Sequence, residues 1–533
     1  MKNIKTTLIM ILMVTIIFSG ISVNAEEAKY GGTLNFPLAY GNPGTLDPVW
    51  ANRIEAEIVT SAIFDRLVKM NVETLSPEPA IAKSWEISDD GLEYIFYLNN
   101  DIKFHNGDKL TAHDVKFSYE RVMDPEVSQI TDLFNSIKGS EKYQEGESEH
   151  ISGIEVIDDY TLKITLDRLD ISFLNTVGKR GSEIVPKDLI NEVGDEFSNI
   201  LVGSGPFKFV EFIQGYEIKL KAFDDYFAGR PYLDELVFKI MEEAAARVPA
   251  FLTEQIDFDL VFSAQLEQYQ SNPKYEDCFV KVPELWTRHI AFNTEVFDDK
   301  RVRQAFNYAV DKELVVEKIV NGKAFVATGW LPKSSPGFNP ELEGYQYNPE
   351  KATRLMKEAG YSVENPFEVE ILGTTSPDWG IPIVEAISPY LEEVGFKIKP
   401  VLMDGASIGP LENKGDFDAT IDSGGGRIEP VDYLSAYFWS EIAPDAGRST
   451  RYVNHEFDKK IEKAYKTPDF KKRMVLVREA EKILVEDPPV WFFNYSQAIG
   501  IVQPWVHGVV KNPTELLLQP YDTIWLDESS PRK

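Results

Sequence analysis

The pentapeptide Gly405-Ala406-Ser407-Ile408-Gly409 fits G-x-S-x-G, the spacing in which a serine on a strained strand-to-helix turn attacks acyl groups. Such a serine needs an acid and a histidine downstream, and His455 and His507 follow in a workable order. It also needs a helix behind it, and Pro410 to Gly415 leaves barely one turn. The match is read as accidental, and no catalytic residue is expected. Metal chemistry finds no better footing. His105, His113, His150, His289, His455 and His507 form no H-x-x-x-H pair, and the single cysteine, Cys278, pairs with none of them at ligand spacing. No metal and no cofactor are expected.

Other residues suit binding without reaction. Residues 422–430 read DSGGGRIEP. Gly424, Gly425 and Gly426 permit close backbone approach and offer N–H donors, and Arg427 adds a cation. Trp286 and Arg288 lie two apart in the strand-like run 286–292, WTRHIAF, so the pleat puts both on one face. A tryptophan is a stacking platform for sugars or peptide side chains, and an arginine takes a carboxylate through two parallel bonds.

Alternating strand and helix patterns must position these groups. Asp89-Asp90-Gly91 is a turn before a strand over 93–98 (EYIFYL), and Asn106-Gly107 joins 102–105 to 109–110 as a hairpin. Thr111 to Asp114 is a capping box for a helix that aligns Val115, Tyr119 and Val122. Residues 138–150 read as an exposed loop, and 160–166 as a half-buried strand. Val202-Gly203-Ser204-Gly205-Pro206-Phe207 is a tight turn into a sheet, and Lys208 excludes a dinucleotide fingerprint. Val302, Ala305, Phe306, Ala309 and Val310 form the core stripe of a helix over 301–320, closed by Asn321-Gly322. Strands over 367–372, 396–403 and 490–495 alternate with further helices.

Four of these stretches together resemble a known family. They are A-x-S-W-E-I-S-D-D-G with K-F-H-N-G-D and L-T-A-H-D-V-K-F-S-Y-E-R between residues 82 and 121, V-G-S-G-P-F at 202–207, F-D-D-x-R-V-R-Q-A-x-x-x-A-x-D from Phe297 to Asp311, and R-Y-x-N-x-x-F-D-x-x-I-x-x-A from Arg451 to Ala464. The chain resembles the peptide/nickel-type (family 5) extracellular solute-binding proteins of ABC importers over nearly all of residues 30–525. The resemblance implies an α/β, periplasmic-binding-protein-like (type II) fold with two lobes around a cleft and an extra subdomain in the first lobe. The expected division is a signal peptide at 1–25, lobe I at 26–67, 203–285 and 496–533, the extra subdomain at 68–202, and lobe II at 286–495. It also places Tyr40 and Trp379 in ligand-facing loops, and implies capture by hinge closure and delivery to permease subunits by a monomer.

Peptide-binding relatives carry D-x-x-D/E-P in the ligand loop, whose first aspartate pairs with the peptide's α-amine. Aligned on Glu429-Pro430, that position is Gly426. Asp422 stands four residues earlier, on the adjacent strand. Either the amine is met by another group or the ligand has none. Short peptides are the expected ligand and an oligosaccharide the alternative; a metal chelate or a hydrolase at Ser407 ranks behind both.

Composition bounds the rest. The formal charge is −31, and removing Lys2 and Lys5 of the leader leaves −33, a field that repels nucleic acid and anionic membranes. Lys2 and Lys5, the apolar run 8–18 and Val23-Asn24-Ala25 have the order of a secretory signal. No cysteine follows to accept a lipid, so a freely diffusing periplasmic protein is expected.

Overall fold

The computed structural model describes residues 28–51, 53–262, 265–376, 379–441 and 450–533. The signal-peptide region lies outside the described residues. Lobe I is built on a four-stranded sheet in the order Thr33–Leu38, Glu235–Ile240, Glu217–Ala222, Phe207–Ile213, its first pair parallel and the rest antiparallel. Leu34, Phe36 and Leu38 alternate into a core with Ile58 and Ile63 of the helix Ile54–Ile63. The V-G-S-G-P-F turn is set by packing: a Cβ on Gly203 would lie 2.0 Å from the Ile63 carbonyl oxygen, and one on Gly205 2.7 Å from the Ile63 carbonyl carbon. Only glycine lets these two backbones touch.

The extra subdomain is a four-stranded antiparallel sheet, Ala82–Ile87, Glu93–Leu98, Thr161–Thr165, Ile154–Asp158, backed by the helix Ala112–Met123. Its capping box is present: the Thr111 N–H donates to Asp114 Oδ2 at 2.9 Å, and Val115, Tyr119 and Val122 are buried. Motif residues bind this unit to lobe I. Arg121 donates to both oxygens of Asp47 at 2.7 Å. Gly203 N–H donates to His105 Nδ1 at 3.2 Å, so Nε2 carries the proton and donates to the Gly205 carbonyl at 2.9 Å. Burial depresses the His105 pKa to about 4, which keeps this clasp neutral. Within the expected loop at 138–150, a short helix Ser140–Gln144 forms behind Gly139, whose φ of 83° starts the turn.

Lobe II and its crossings share one larger sheet in the order Phe258–Leu260, Val490–Val502, Phe279–Phe292, Ala419–Gly425, Phe367–Gly373, Phe396–Leu402, with Ala324–Val326 also paired to Val490–Val502. Phe279–Phe292 and Val490–Val502 run longer than their apolar segments suggest. Each starts in one core and ends in another: Val282 and Ala498 pack in the lobe I cluster, while Ile290, Phe292, Trp491 and Phe493 pack in lobe II. Residues 286 and 495, expected as lobe boundaries, fall within these strands. The lobes therefore meet along two antiparallel strands and not at loop linkers.

Three local expectations are corrected. The helix over 301–320 is two helices, Lys300–Ala309 and Lys312–Lys318. Asp311 Oδ1 accepts from Leu314 N–H at 3.0 Å, and this side-chain cap competes successfully with a continuous ladder. Gly424 and Gly425 are the end of a strand and not part of a loop. Gly405–Lys414 is a full helix, not barely one turn, with Pro410 tolerated inside it.

Candidate functional site

The first crossing strand, Phe279–Phe292, brings the site together. Its pleat puts Glu284, Trp286 and Arg288 on one face, and all three line a cavity of about 1040 Å³. Thr287 and His289 take the opposite face: Thr287 Oγ1 donates to the Trp330 carbonyl at 2.7 Å, and the His289 ring packs 4.8 Å from the Trp330 ring. The Arg288 guanidinium lies 5.9 Å from the Trp286 ring and 5.1 Å from the Trp379 ring, a spacing at which ring quadrupoles stabilise the cation. Tyr40, Trp379 and Gly426 also line the cavity; Gly424, Gly425 and Arg427 do not.

The register explains the glycine run. Gly425 pairs with Trp286 and Gly424 with Thr287. A Cβ on Gly425 would lie 2.5 Å from the Trp286 ring, and one on Gly424 2.5 Å from the Trp330 ring on the other face. Gly426 has φ +73°, and its N–H donates to the Leu285 carbonyl at 3.0 Å. Two glycines thus make room for tryptophans and the third turns the chain. Arg427 is exposed. Asp422 pairs with His289 on the face away from Arg288 and is not a lining residue. Glu429 accepts from Arg473 at 3.2 and 3.0 Å, a buried pair that fixes the end of the loop.

Carboxylates that the sequence reading missed stand in the cavity wall. The Tyr40 hydroxyl lies 3.2 Å from each carboxylate oxygen of Glu515. Burial raises the Glu515 pKa to about 7, and the Glu284 charge adds to the rise. Burial also raises Glu284, partly offset by Arg288. Asp65, bonded to Tyr226 at 3.1 Å and Ser204 at 3.2 Å, is raised by burial to about 7 as well. Glu57 differs in being neutralised, by Arg66 at 3.1 Å and Arg180 at 3.6 Å. Glu284 had a signal, since it is in phase with Trp286 and Arg288. Glu515 had none: it lies 475 residues from Tyr40, in a segment with no regular element.

None of this is a catalytic or metal-binding arrangement. Ser407 sits in the first turn of its helix, its hydroxyl donating to the capping Asp404 at 2.5 Å. It is outside the cavity wall, as are all six histidines. His455 is exposed, and His507 is bonded to Asp527 at 2.9 Å. Among the described residues, no group of three His, Cys, Asp or Glu side chains could hold a metal ion, and no helix is long and apolar enough to cross a membrane.

Known proteins share this architecture. A profile described as "Bacterial extracellular solute-binding proteins, family 5 Middle" matches residues 76–443. The chain is 31% identical to heme-binding protein A of Haemophilus influenzae over 479 residues, 85% of each chain. It is 25% identical to the dipeptide-binding protein of Escherichia coli, covering 85% of this chain and 87% of that one. The periplasmic binding protein DppA of Helicobacter pylori, solved in complex with the peptide STSA, superposes with a TM-score of 0.73 at 26% identity, covering 94% of this chain and 99% of that one. The two lobes, the paired crossing strands and the extra subdomain are the type II periplasmic-binding-protein arrangement, which binds and does not catalyse. The chain belongs to family 5 of the bacterial extracellular solute-binding proteins.

Proposed function

We propose that this protein captures short peptides outside the cytoplasm and delivers them to the permease of an ABC importer. The observation that carries this reading is the cavity wall at the crossing strands. It combines aromatic faces (Tyr40, Trp286, Trp379) with charges of both signs (Arg288, Glu284, Glu515) within one volume of about 1040 Å³. That volume is at the upper end for small-molecule sites and admits several residues of extended chain. A peptide is amphipathic along its length and zwitterionic at its ends, so it matches such a wall. A neutral sugar leaves the desolvated charges without counter-charge, at a cost of several kcal/mol. Haem capture through an axial histidine has no support in the wall, which holds no histidine. The names of the Escherichia coli and Helicobacter pylori relatives agree with the peptide reading.

Closure works by differential affinity. A ligand that touches both lobes stabilises the closed arrangement only by the contacts it gains there, and the two crossing strands are the hinge. The proposal includes export through the 1–25 leader, no lipid anchor, a monomeric state and release at the permease. Native mass spectrometry of protein purified without denaturation is the test, and a co-purified peptide is expected. A co-purified oligosaccharide, with no shift of melting temperature by any peptide pool, overturns the reading.

A further inference from the structure

The cavity described above is electrostatically uneven, and the unevenness names a chemical group. Glu284 comes from the first crossing strand and Glu515 from the C-terminal return to lobe I, so both are held by lobe I before any ligand arrives. Both carboxylates line the same cavity wall, and the Glu284 charge raises the proton affinity of Glu515. Among the described residues, neither has a lysine, arginine or histidine within ion-pair distance. Arg288, four residues along the strand from Glu284, acts on Glu284 at longer range, and its guanidinium is held against Trp286 and Trp379. Burial therefore draws both acids toward the neutral form in the empty cleft, and an arriving cation is what favours their ionised form.

Ion pairs elsewhere in the same wall mark the contrast. Glu57 has Arg66 and Arg180. Glu515 has hydroxyl and backbone donors, Tyr40 at 3.2 Å and the Leu517 N–H at 2.9 Å, and Glu284 has a hydroxyl donor, Ser496. Neutral donors orient Glu515 without cancelling its charge, and the Tyr40 ring adds an aromatic edge to the same corner.

We infer that Glu284 and Glu515, with Tyr40 orienting the second, form the subsite for a cationic nitrogen of the ligand, the α-ammonium when the ligand is a peptide. Arg288 between its two tryptophans then faces the ligand's acidic or carbonyl groups, which sets the direction in which the chain lies. The inference rests on the peptide reading and deepens it.

The test compares a random tripeptide library with the same library N-acetylated, by thermal-shift titration of the mature full-length protein and of Glu284→Gln, Glu515→Gln and the double variant. Glutamine keeps the size and one acceptor, and circular dichroism checks folding. The free-amine library is expected to bind the native protein at least tenfold more tightly than the acetylated one. Each single variant is expected to lose about ten- to hundredfold for free amines, as charge-assisted bonds do, and nothing for the acetylated library. Free-amine binding unchanged in the double variant overturns the subsite and leaves the peptide function standing. If a variant unfolds, equal affinity of the native protein for the two libraries is itself the refuting result. Binding of neither library overturns the function along with the subsite.

Discussion

Glu481 offers a sharp physical test of how lobe II is built. It lies on the helix Phe470–Glu486 and is 1% exposed. Its Oε1 accepts from the Leu331 N–H at 2.8 Å, while Oε2 has no partner. Burial raises its pKa from 4.5 to about 7, eased by the backbone of Leu331 and Trp330 and by Arg478. The direction of the pH effect follows from linkage. The unfolded chain ionises this group near 4.5 and the folded chain only near 7, so unfolding releases a proton between those values. Its contribution is most favourable below pH 4.5, is lost as pH rises to 7, and is constant above. A shift of that size corresponds to about 3 kcal/mol. Glu481→Gln keeps the acceptor for Leu331 and removes the ionisation. The variant is expected to match the native protein near pH 4.5 and to exceed it by up to about 3 kcal/mol at pH 8. That amounts to several degrees in melting temperature for a unit the size of lobe II. Thermal melts of both proteins, followed by near-ultraviolet circular dichroism between pH 4.5 and 8.5, measure the difference. Glu515 and Asp65 titrate in the same range but cancel in the comparison. A difference that does not change with pH, or a variant less stable at pH 8, refutes the argument.

Other perturbations separate scaffold from site. Gly203→Ala forces a Cβ into the Ile63 backbone; it should cost about 3 kcal/mol or more, seen as a lower denaturant midpoint. Arg473→Ala strands Glu429 buried beside Pro430, with an expected loss of about 3–5 kcal/mol in the same assay. Trp286 is only half-buried, so Trp286→Ala should leave the melting temperature of the empty protein within about two degrees. It should weaken peptide binding about tenfold or more in a titration of intrinsic fluorescence.

Local chemistry determined much of this protein from the sequence. The capping box at Thr111, the turn at Asn106-Gly107 and the apolar stripe from Val302 to Ala309 each depend on neighbours within a few residues, and each is found in the structure. The signature stretch that made the family recognisable is scaffold: Arg121 clasps Asp47 and His105 clasps the glycine turn. Trp286 and Arg288 were legible as one face because a strand's period is local. Where the information was not local, it was misread. The glycine run looked like a ligand loop, yet Gly424 and Gly425 are small because tryptophans on two faces of a strand occupy the space. Asp311 split a helix by capping its second half. Glu515 was invisible, because it meets Tyr40 only after the chain has crossed between the lobes and returned. Sequence set the elements and the family; the charge balance at the cleft exists only where distant segments exclude water together.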